Sequence, residues 1–274
     1  MAENCLPTIS IMLKNKKVSG FSAFCLGIVL IALLIQAGGA LHDNRIVFPD
    51  VRDIGKAFLR LMLRAETYRY AGVTLLHLTE ALAIAMATGI ITGLAEGLTD
   101  FFHTGLKPLM IMIRSLPMII LVILMMTVMQ YSRVPVAAGA VALIPMISEA
   151  VCEGCRAIEP ELTDVYRMNS GFSVQVLFRV YIPLISGYLK QAFFNAAGMG
   201  LKVVVSAEYL VQTRNSLGKA VFSSSYFLEY AEIYAYALIM ILLVLLITEL
   251  PVVLMKTIGK GSTGKQDRRR ARNA

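Results

Sequence analysis

Apolar residues in this chain are grouped in long, predominantly apolar stretches with few charges rather than in short alternating patterns. Six stretches approach the roughly 20 residues that an α-helix needs to cross the hydrocarbon core of a bilayer. They cover residues 21–41, 72–96, 106–130, 134–152, 183–210 and 232–255. The pattern predicts an all-α fold, a polytopic membrane helix bundle with six transmembrane helices. The first stretch also resembles a cleaved signal peptide, but its apolar run exceeds the usual signal core, so we expect an uncleaved span.

Two shorter patterns refine this prediction. Asp50 can cap a helix start, and an apolar face at helical spacing follows it, formed by Ile54, Ala57, Phe58, Leu61 and Met62. This amphipathic helix is expected along the membrane surface or against the bundle. Gly89, Gly93 and Gly97 share one helical face in the second stretch, which favours close helix packing within the chain or between copies.

The distribution of charge along the sequence indicates on which side of the membrane the two ends of the chain lie. Hydrophobic residues make up 57% of the sequence and charged residues 16%, with a net charge of +8. Residues 1–20 carry three lysines against one glutamate, and residues 256–274 carry seven basic residues against one aspartate. These two tails hold the whole excess, which indicates that both termini are cytoplasmic. Nucleic-acid binding is not expected, because it needs a basic folded face.

A near-match to a phosphate-binding loop lies in the C-terminal tail. Gly259, Gly264 and Lys265 fit the G-x-x-x-x-G-K-[ST] pattern, but Gln266 stands where a magnesium-binding hydroxyl is required. A phosphate-binding loop needs a following helix whose N-terminus points at the phosphates. Only nine residues follow Lys265, and they have no apolar face with which such a helix could pack. We therefore expect no ATPase site, and no enzymatic activity, in this chain.

Cys152 and Cys155 form a C-x-x-C pair at the end of the fourth stretch. The pair is compatible with a redox couple or with half of a zinc site. A zinc site normally needs four ligands, and no second Cys/His pair lies nearby in the sequence. We therefore expect the pair to be incidental and expect neither a metal nor another cofactor to be bound by this chain.

The segment between the fourth and fifth stretches, about 153–182, is too polar for lipid and patterned like a helix–turn–helix. Its pattern of residues resembles the loop of the membrane subunits of binding-protein-dependent ABC importers of the nitrate/taurine/sulfonate type. Asp164, Val165 and Tyr166 take the E-A-A positions of that pattern, Ser170 takes its glycine position, and Pro183 closes it. Gly171 follows one position late, and Glu161 belongs to the lead-in "GCRAIEPEL".

Three further motifs carry the same resemblance over residues 45 to 256. They are "IRSLP" (113–117), "LKVVVSAEYL" (201–210) and "SLGKAVF" (216–222), in the order and at the spacing of the family. The resemblance implies a permease domain over 21–256, between a basic tail at 1–20 and another at 257–274. It also implies that the loop is a coupling helix, with coupling residues Glu161, Asp164, Val165, Tyr166, Ser170, Gly171 and Pro183.

The same resemblance implies the partners. These are a second copy of the chain, two cytoplasmic ATPase subunits that hold ATP and magnesium, and an external binding protein that delivers a small solute. The location it implies is a bacterial plasma (inner) membrane with several passes and both termini cytoplasmic. An alternative is a secondary transporter driven by an ion gradient, although no inverted repeat is evident. A membrane redox enzyme using the cysteine pair is a third hypothesis, without a supporting acidic or histidine cluster.

Charged residues within the stretches are the remaining candidates for function. Glu80, Arg114 and Lys202 lie deep in their stretches, where a charge costs at least about 2.5–3.5 kcal/mol and normally faces a partner or a water-filled path. Pairing between helices and lining of a translocation pathway are both open, and the cations would suit an anionic solute. Lys190 and Glu208 lie nearer the ends of their stretch and are expected to reach the interface.

Overall fold

The computed structural model describes residues 49–158 and 177–248, and every regular element in those ranges is helical. The longer elements are α1 (Val51–Leu63), α2 (Ala65–Leu98), α3 (Asp100–Ser115), α4 (Met118–Val128), α5 (Val134–Arg156), α6 (Ser186–Val211), α7 (Leu217–Tyr226) and α8 (Tyr230–Thr248). A π-helical turn at Leu177–Tyr181 and a short turn at Ile182–Leu184 precede α6. The helical class predicted from the sequence is confirmed.

Several of these helices have the length and composition of membrane spans. Among the described residues, α2, α5 and α8 qualify separately, and α3 with α4 counts as a fourth candidate if the bent pair is one span. Helix α6 has 26 residues, about 39 Å, which is long enough to span but less apolar because it carries three charges. The first predicted stretch and residues 249–255 lie outside the described residues, so the number six stays a prediction.

The third predicted stretch, 106–130, is broken into two helices instead of forming one continuous helix, and its place as a single span stays a prediction. Helices α3 and α4 meet at an angle of 101°. Leu116 is extended, with φ −67° and ψ 126°, and Pro117 follows it at the start of α4. A residue before proline is pushed out of the helical region because the proline ring clashes with its backbone, which explains the break.

Helices α2 and α5 pack with their backbones in close approach, as the glycine spacing predicts. A side chain at Gly93 would place its Cβ 2.5 Å from a main-chain oxygen of α5, and one at Gly97 would lie 2.6 Å from the Cβ of Cys155. Gly89 meets Ile147 in the same way, at 2.8 Å. The contacts advance in the same direction along both helices, so α2 and α5 run parallel.

The main core lies where α2, α5 and α6 meet. Its fully buried members include Leu78, Leu143, Ile147, Leu201 and Val204. At the C-terminal end of α5, a Cβ at Gly154 would lie 3.2 Å from Ile185, so α5 ends against the start of α6. We call the end of the bundle where α5 finishes and α6 begins the loop end, and the opposite end the α7 end.

Helix α1 confirms the predicted amphipathic segment. Ile54, Ala57 and Leu61 are buried, and the last two share a core cluster with α7 and α8 that includes Leu217. Asp50 does precede the helix, but its side chain makes no capping hydrogen bond. Helix α1 is therefore held by packing of its apolar face rather than by its cap.

Candidate functional site

The described residues on either side of the predicted coupling segment lie at the loop end of the bundle. Glu161, Asp164, Val165, Tyr166, Ser170 and Gly171 lie in 159–176, outside the described residues. Pro183 is described and lies in the short turn just before α6. Val151 and Cys155 of α5 share the main core with Tyr181 and Ile185, which flank that turn. The two ends of the segment are thus anchored side by side.

The three candidate pathway residues do not form one cluster in the described part of the chain. Glu80 of α2 pairs with Arg133, 3.1 Å away. Arg114 of α3 pairs with Glu149 of α5. Each of these two ion pairs therefore joins neighbouring elements, which fits the pairing hypothesis. All four side chains are also about half exposed or more. Their part in a pathway stays a prediction.

Lys202 has a different setting. It is exposed and borders a groove of about 430 Å³ between α6 and α8. The groove is otherwise apolar except for Ser206, whose hydroxyl donates to the carbonyl of Lys202 at 2.8 Å. The groove therefore presents a single basic group beside an apolar wall.

Glu208 is the most deeply buried charged side chain in the described residues, with 0% exposed. Its Oε2 accepts hydrogen bonds from the hydroxyl of Thr74, at 2.8 Å, and from the main-chain N–H of Gly218, at 3.2 Å. Its Oε1 lies 2.7 Å from Nδ1 of His77. The sequence-based expectation that Glu208 reaches the interface was wrong, because the start of α7 and the side chains of α2 enclose it.

This carboxylate joins three helices at the α7 end. Thr74 also accepts from the N–H of Leu217 at 3.0 Å, so the first N–H groups of α7 are paired by Thr74 and Glu208. Negative charge at a helix N-terminus is favourable because unpaired N–H groups point outward there. A Cβ at Gly218 would overlap Glu208, so only glycine allows this approach. Glu208 lies in the motif "LKVVVSAEYL" and Gly218 in the motif "SLGKAVF", so the sequence did contain an indication that both positions matter.

A second polar cluster lies at the loop end, between α2, α3 and α5. Glu96 is buried and accepts from the hydroxyl of Ser148 at 3.0 Å. His103 of α3 places Nδ1 3.7 Å from Sγ of Cys152. Arg156 pairs with Asp100 at 2.8 Å. The sequence did not predict that His103 lies beside Cys152, because the two residues are 49 positions apart in the chain.

Comparisons with known proteins agree with this architecture. Residues 85–262 match the family described as "Binding-protein-dependent transport system inner membrane component". No curated protein sequence matches the chain. Among solved structures, the fold resembles a chain of the structure titled "Inward facing conformations of the MetNI methionine ABC transporter: CY5 native crystal form", with a TM-score of 0.59 and 16% sequence identity. The match covers 73% of this chain and 97% of that one.

The family match takes in the C-terminal part of α2 from residue 85, all of α3 to α8, and the segment between α5 and α6. It spans more than half of the 274 residues, and the helical arrangement supports it independently. The chain therefore belongs to the binding-protein-dependent transport system inner membrane components, and it is a multi-pass membrane permease of the ABC type.

Proposed function

We propose that this chain is the permease subunit of an importer, in which it translocates a small solute delivered by an external binding protein. A separate ATPase subunit supplies ATP hydrolysis and holds the ATP and magnesium. The observation that carries the proposal is the family match over 85–262, which includes both anchored ends of the α5–α6 segment. The described residues contain no nucleotide-binding loop, and the near-match in the tail lacks the hydroxyl that magnesium needs.

The proposed assembly contains two copies of this chain, two ATPase subunits and one binding protein. The structure of similar fold is titled an ABC transporter, which supports such an assembly here. The segment between α5 and α6 is the proposed docking element for the ATPase. Its ends are fixed in the core, so a force on the segment reaches α5 and α6 directly. This arrangement suits an element that couples hydrolysis in one protein to helix movement in another.

The docking role is tested with Asp164→Lys and Gly171→Val. Asp164 begins the E-A-A-like stretch, and under this proposal it lies on a cytoplasmic surface, where reversal of a charge costs an isolated subunit little. At an interface the same change leaves a repelled or unpaired charge, which costs several kcal/mol. We expect both variants to insert normally but to retain little ATPase in a purified complex. Asp53→Lys, on the exposed face of α1, serves as the control and should retain the ATPase.

A compensating charge in the ATPase groove should partly restore binding to the Asp164 variant. Normal insertion, full ATPase retention and unchanged transport in both variants would show that residues 160–171 are not the docking element. Loss of ATPase from the Asp53 control as well would point to a general assembly defect.

We further propose that both termini are cytoplasmic in a bacterial inner membrane. The basic tails and the parallel course of α2 and α5, with α3 and α4 between them, support this orientation. Reporter fusions at residue 274 and near residue 99 should report cytoplasm, and a fusion near residue 220 should report the outside. An external signal at residue 274 contradicts the orientation.

For substrate class, we propose a small solute that carries an anionic group, of the nitrate, taurine or sulfonate type. The exposed Lys202 beside its groove supports this, with Arg114 and Glu80 as further candidates along the pathway. Lys202→Met should lower uptake of a radiolabelled sulfonate while leaving basal ATP hydrolysis in place. Lys190→Met, an exposed lysine of the same helix, is the matched control. Equal uptake in both variants would remove Lys202 from the pathway.

A further inference from the structure

Three side chains from three different helices converge at the loop end of the bundle. They are Glu96 of α2, His103 of α3 and Cys152 of α5, and one ligand atom from each lies within 4.8 Å of the other two. We propose that these residues form a binding site for a divalent transition metal of the zinc class. The proposal is separate from the transport function and does not depend on it.

The chemistry of the three groups suits such an ion. A thiolate, an imidazole nitrogen and a carboxylate oxygen are the donor types that zinc uses in proteins. Tetrahedral zinc with bonds of about 2.3 Å to sulfur and 2.0–2.1 Å to nitrogen places those two atoms about 3.6 Å apart. The observed separation between Sγ of Cys152 and Nδ1 of His103 is 3.7 Å. The two atoms are thus already near the spacing that a shared ion would impose.

The carboxylate is oriented by a neighbouring hydroxyl group. The hydroxyl of Ser148 donates to Oε1 of Glu96 at 3.0 Å, and the hydroxyl oxygen of Thr92 lies 3.0 Å from that of Ser148. This leaves Oε2 of Glu96 to act as a ligand. Outer hydrogen bonds of this kind fix the orientation of metal ligands and strengthen binding.

The surroundings leave room for a fourth ligand. A cavity of about 250 Å³ is bordered by all three residues together with Lys107 and Arg156. Water or a small exogenous ligand can therefore complete a tetrahedral site from the cavity. Tetrahedral sites with three protein ligands and one open position are a recurrent form of zinc coordination.

Charge is balanced at the proposed site. The carboxylate of Glu96 and the thiolate of Cys152 together neutralise a divalent cation, with His103 neutral. Arg156 lies close by, but its guanidinium pairs with Asp100 at 2.8 Å, so its charge is compensated within the cluster. The ion would join α3 to α2 and α5, which matters because α3 has no buried residue of its own.

The experiment uses the full-length chain, purified in detergent with its affinity tag removed and stripped of metal with EDTA. Titration with Co²⁺ should give a thiolate-to-cobalt charge-transfer band that saturates at one ion per chain. Cys152→Ser should abolish the band, and Glu96→Gln should weaken affinity by at least about 100-fold. Cys155→Ser is the matched control, because that thiol is buried in the same helix but lies outside the cluster, and it should leave the titration unchanged.

Ser148→Ala provides a milder variant that keeps all three ligands. Removal of its hydroxyl should weaken Co²⁺ binding by about 10-fold without loss of the charge-transfer band. Absence of a charge-transfer band in the unmodified chain overturns the proposal, and so does full binding by Cys152→Ser. Equal loss in Cys155→Ser and Cys152→Ser also overturns it, because the ligand would then be the cysteine pair.

Discussion

The buried carboxylate of Glu208 offers a prediction whose size follows from the structure. Glu208→Ala removes the acceptor that pairs with Thr74, His77 and the N–H of Gly218. Loss of a buried carboxylate that accepts several hydrogen bonds costs about 3–5 kcal/mol, like the breaking of other buried ionic networks, because the remaining groups stay desolvated and unpaired. Each neutral buried donor left unsatisfied costs about 1–3 kcal/mol on its own, which gives a total of the same size. We expect Glu208→Ala to lower the free energy of unfolding by about 3–5 kcal/mol.

Glu208→Gln separates the charge from the shape of the side chain. One amide oxygen can still accept, but the amide NH₂ group faces donors, so we expect a smaller loss of about 1–3 kcal/mol. Asp53→Ala is the control, since Asp53 pairs with Lys56 at 3.7 Å with both side chains largely exposed. Exposed pairs of this kind contribute about 0–1 kcal/mol.

The assay is equilibrium unfolding by SDS in mixed micelles, followed by far-ultraviolet circular dichroism. The chain contains no tryptophan, so helix content is a more direct signal than intrinsic tryptophan fluorescence. The predicted order of stability is unmodified chain and Asp53→Ala together, then Glu208→Gln, then Glu208→Ala. A Glu208→Ala variant as stable as the Asp53 control would refute the inference that this carboxylate holds α2, α6 and α7 together.

Three further predictions use other parts of the structure. Gly93→Ala should destabilise the bundle by about 1–3 kcal/mol through overpacking, whereas Gly72→Ala, with open space around it, should not lower thermal stability. The charge of Glu232 raises the pKa of the Glu229 carboxyl, so Glu229→Gln should stabilise the protein above that pKa. This gain should fade as acidification protonates Glu229 in the folded state, and a pH series of thermal scans measures it. Truncation after Lys260 should preserve ATP hydrolysis by the purified complex, measured as phosphate release; its loss from an intact complex would implicate the tail.

Local patterns in the sequence predicted the helices and their closest packing. The spacing of Gly89, Gly93 and Gly97 identified a face for close approach, because small residues four positions apart leave a continuous groove along a helix. The apolar positions of α1 likewise predicted its buried face. These features depend on neighbours within one or two helical turns, which a sequence shows directly.

Features set by distant contacts were harder to predict. The hydropathy of 106–130 is uniform, so a break at Leu116 was not expected, although Pro117 was a local signal for it. Glu208 lies near the end of its helix, and only the return of α7 over it makes the site buried. His103 and Cys152 are brought together by the turn between α2 and α3, which no periodicity specifies.

We infer that this permease depends on a separate ATPase and acts as a pair of subunits. The most direct test is native mass spectrometry of the complex purified through this chain, combined with ATP hydrolysis measured on the same sample. We expect two copies of the 30.0 kDa chain with two copies of one ATPase, and no hydrolysis by the chain alone. A chain that purifies without any ATPase and drives solute uptake from an ion gradient in proteoliposomes would contradict it.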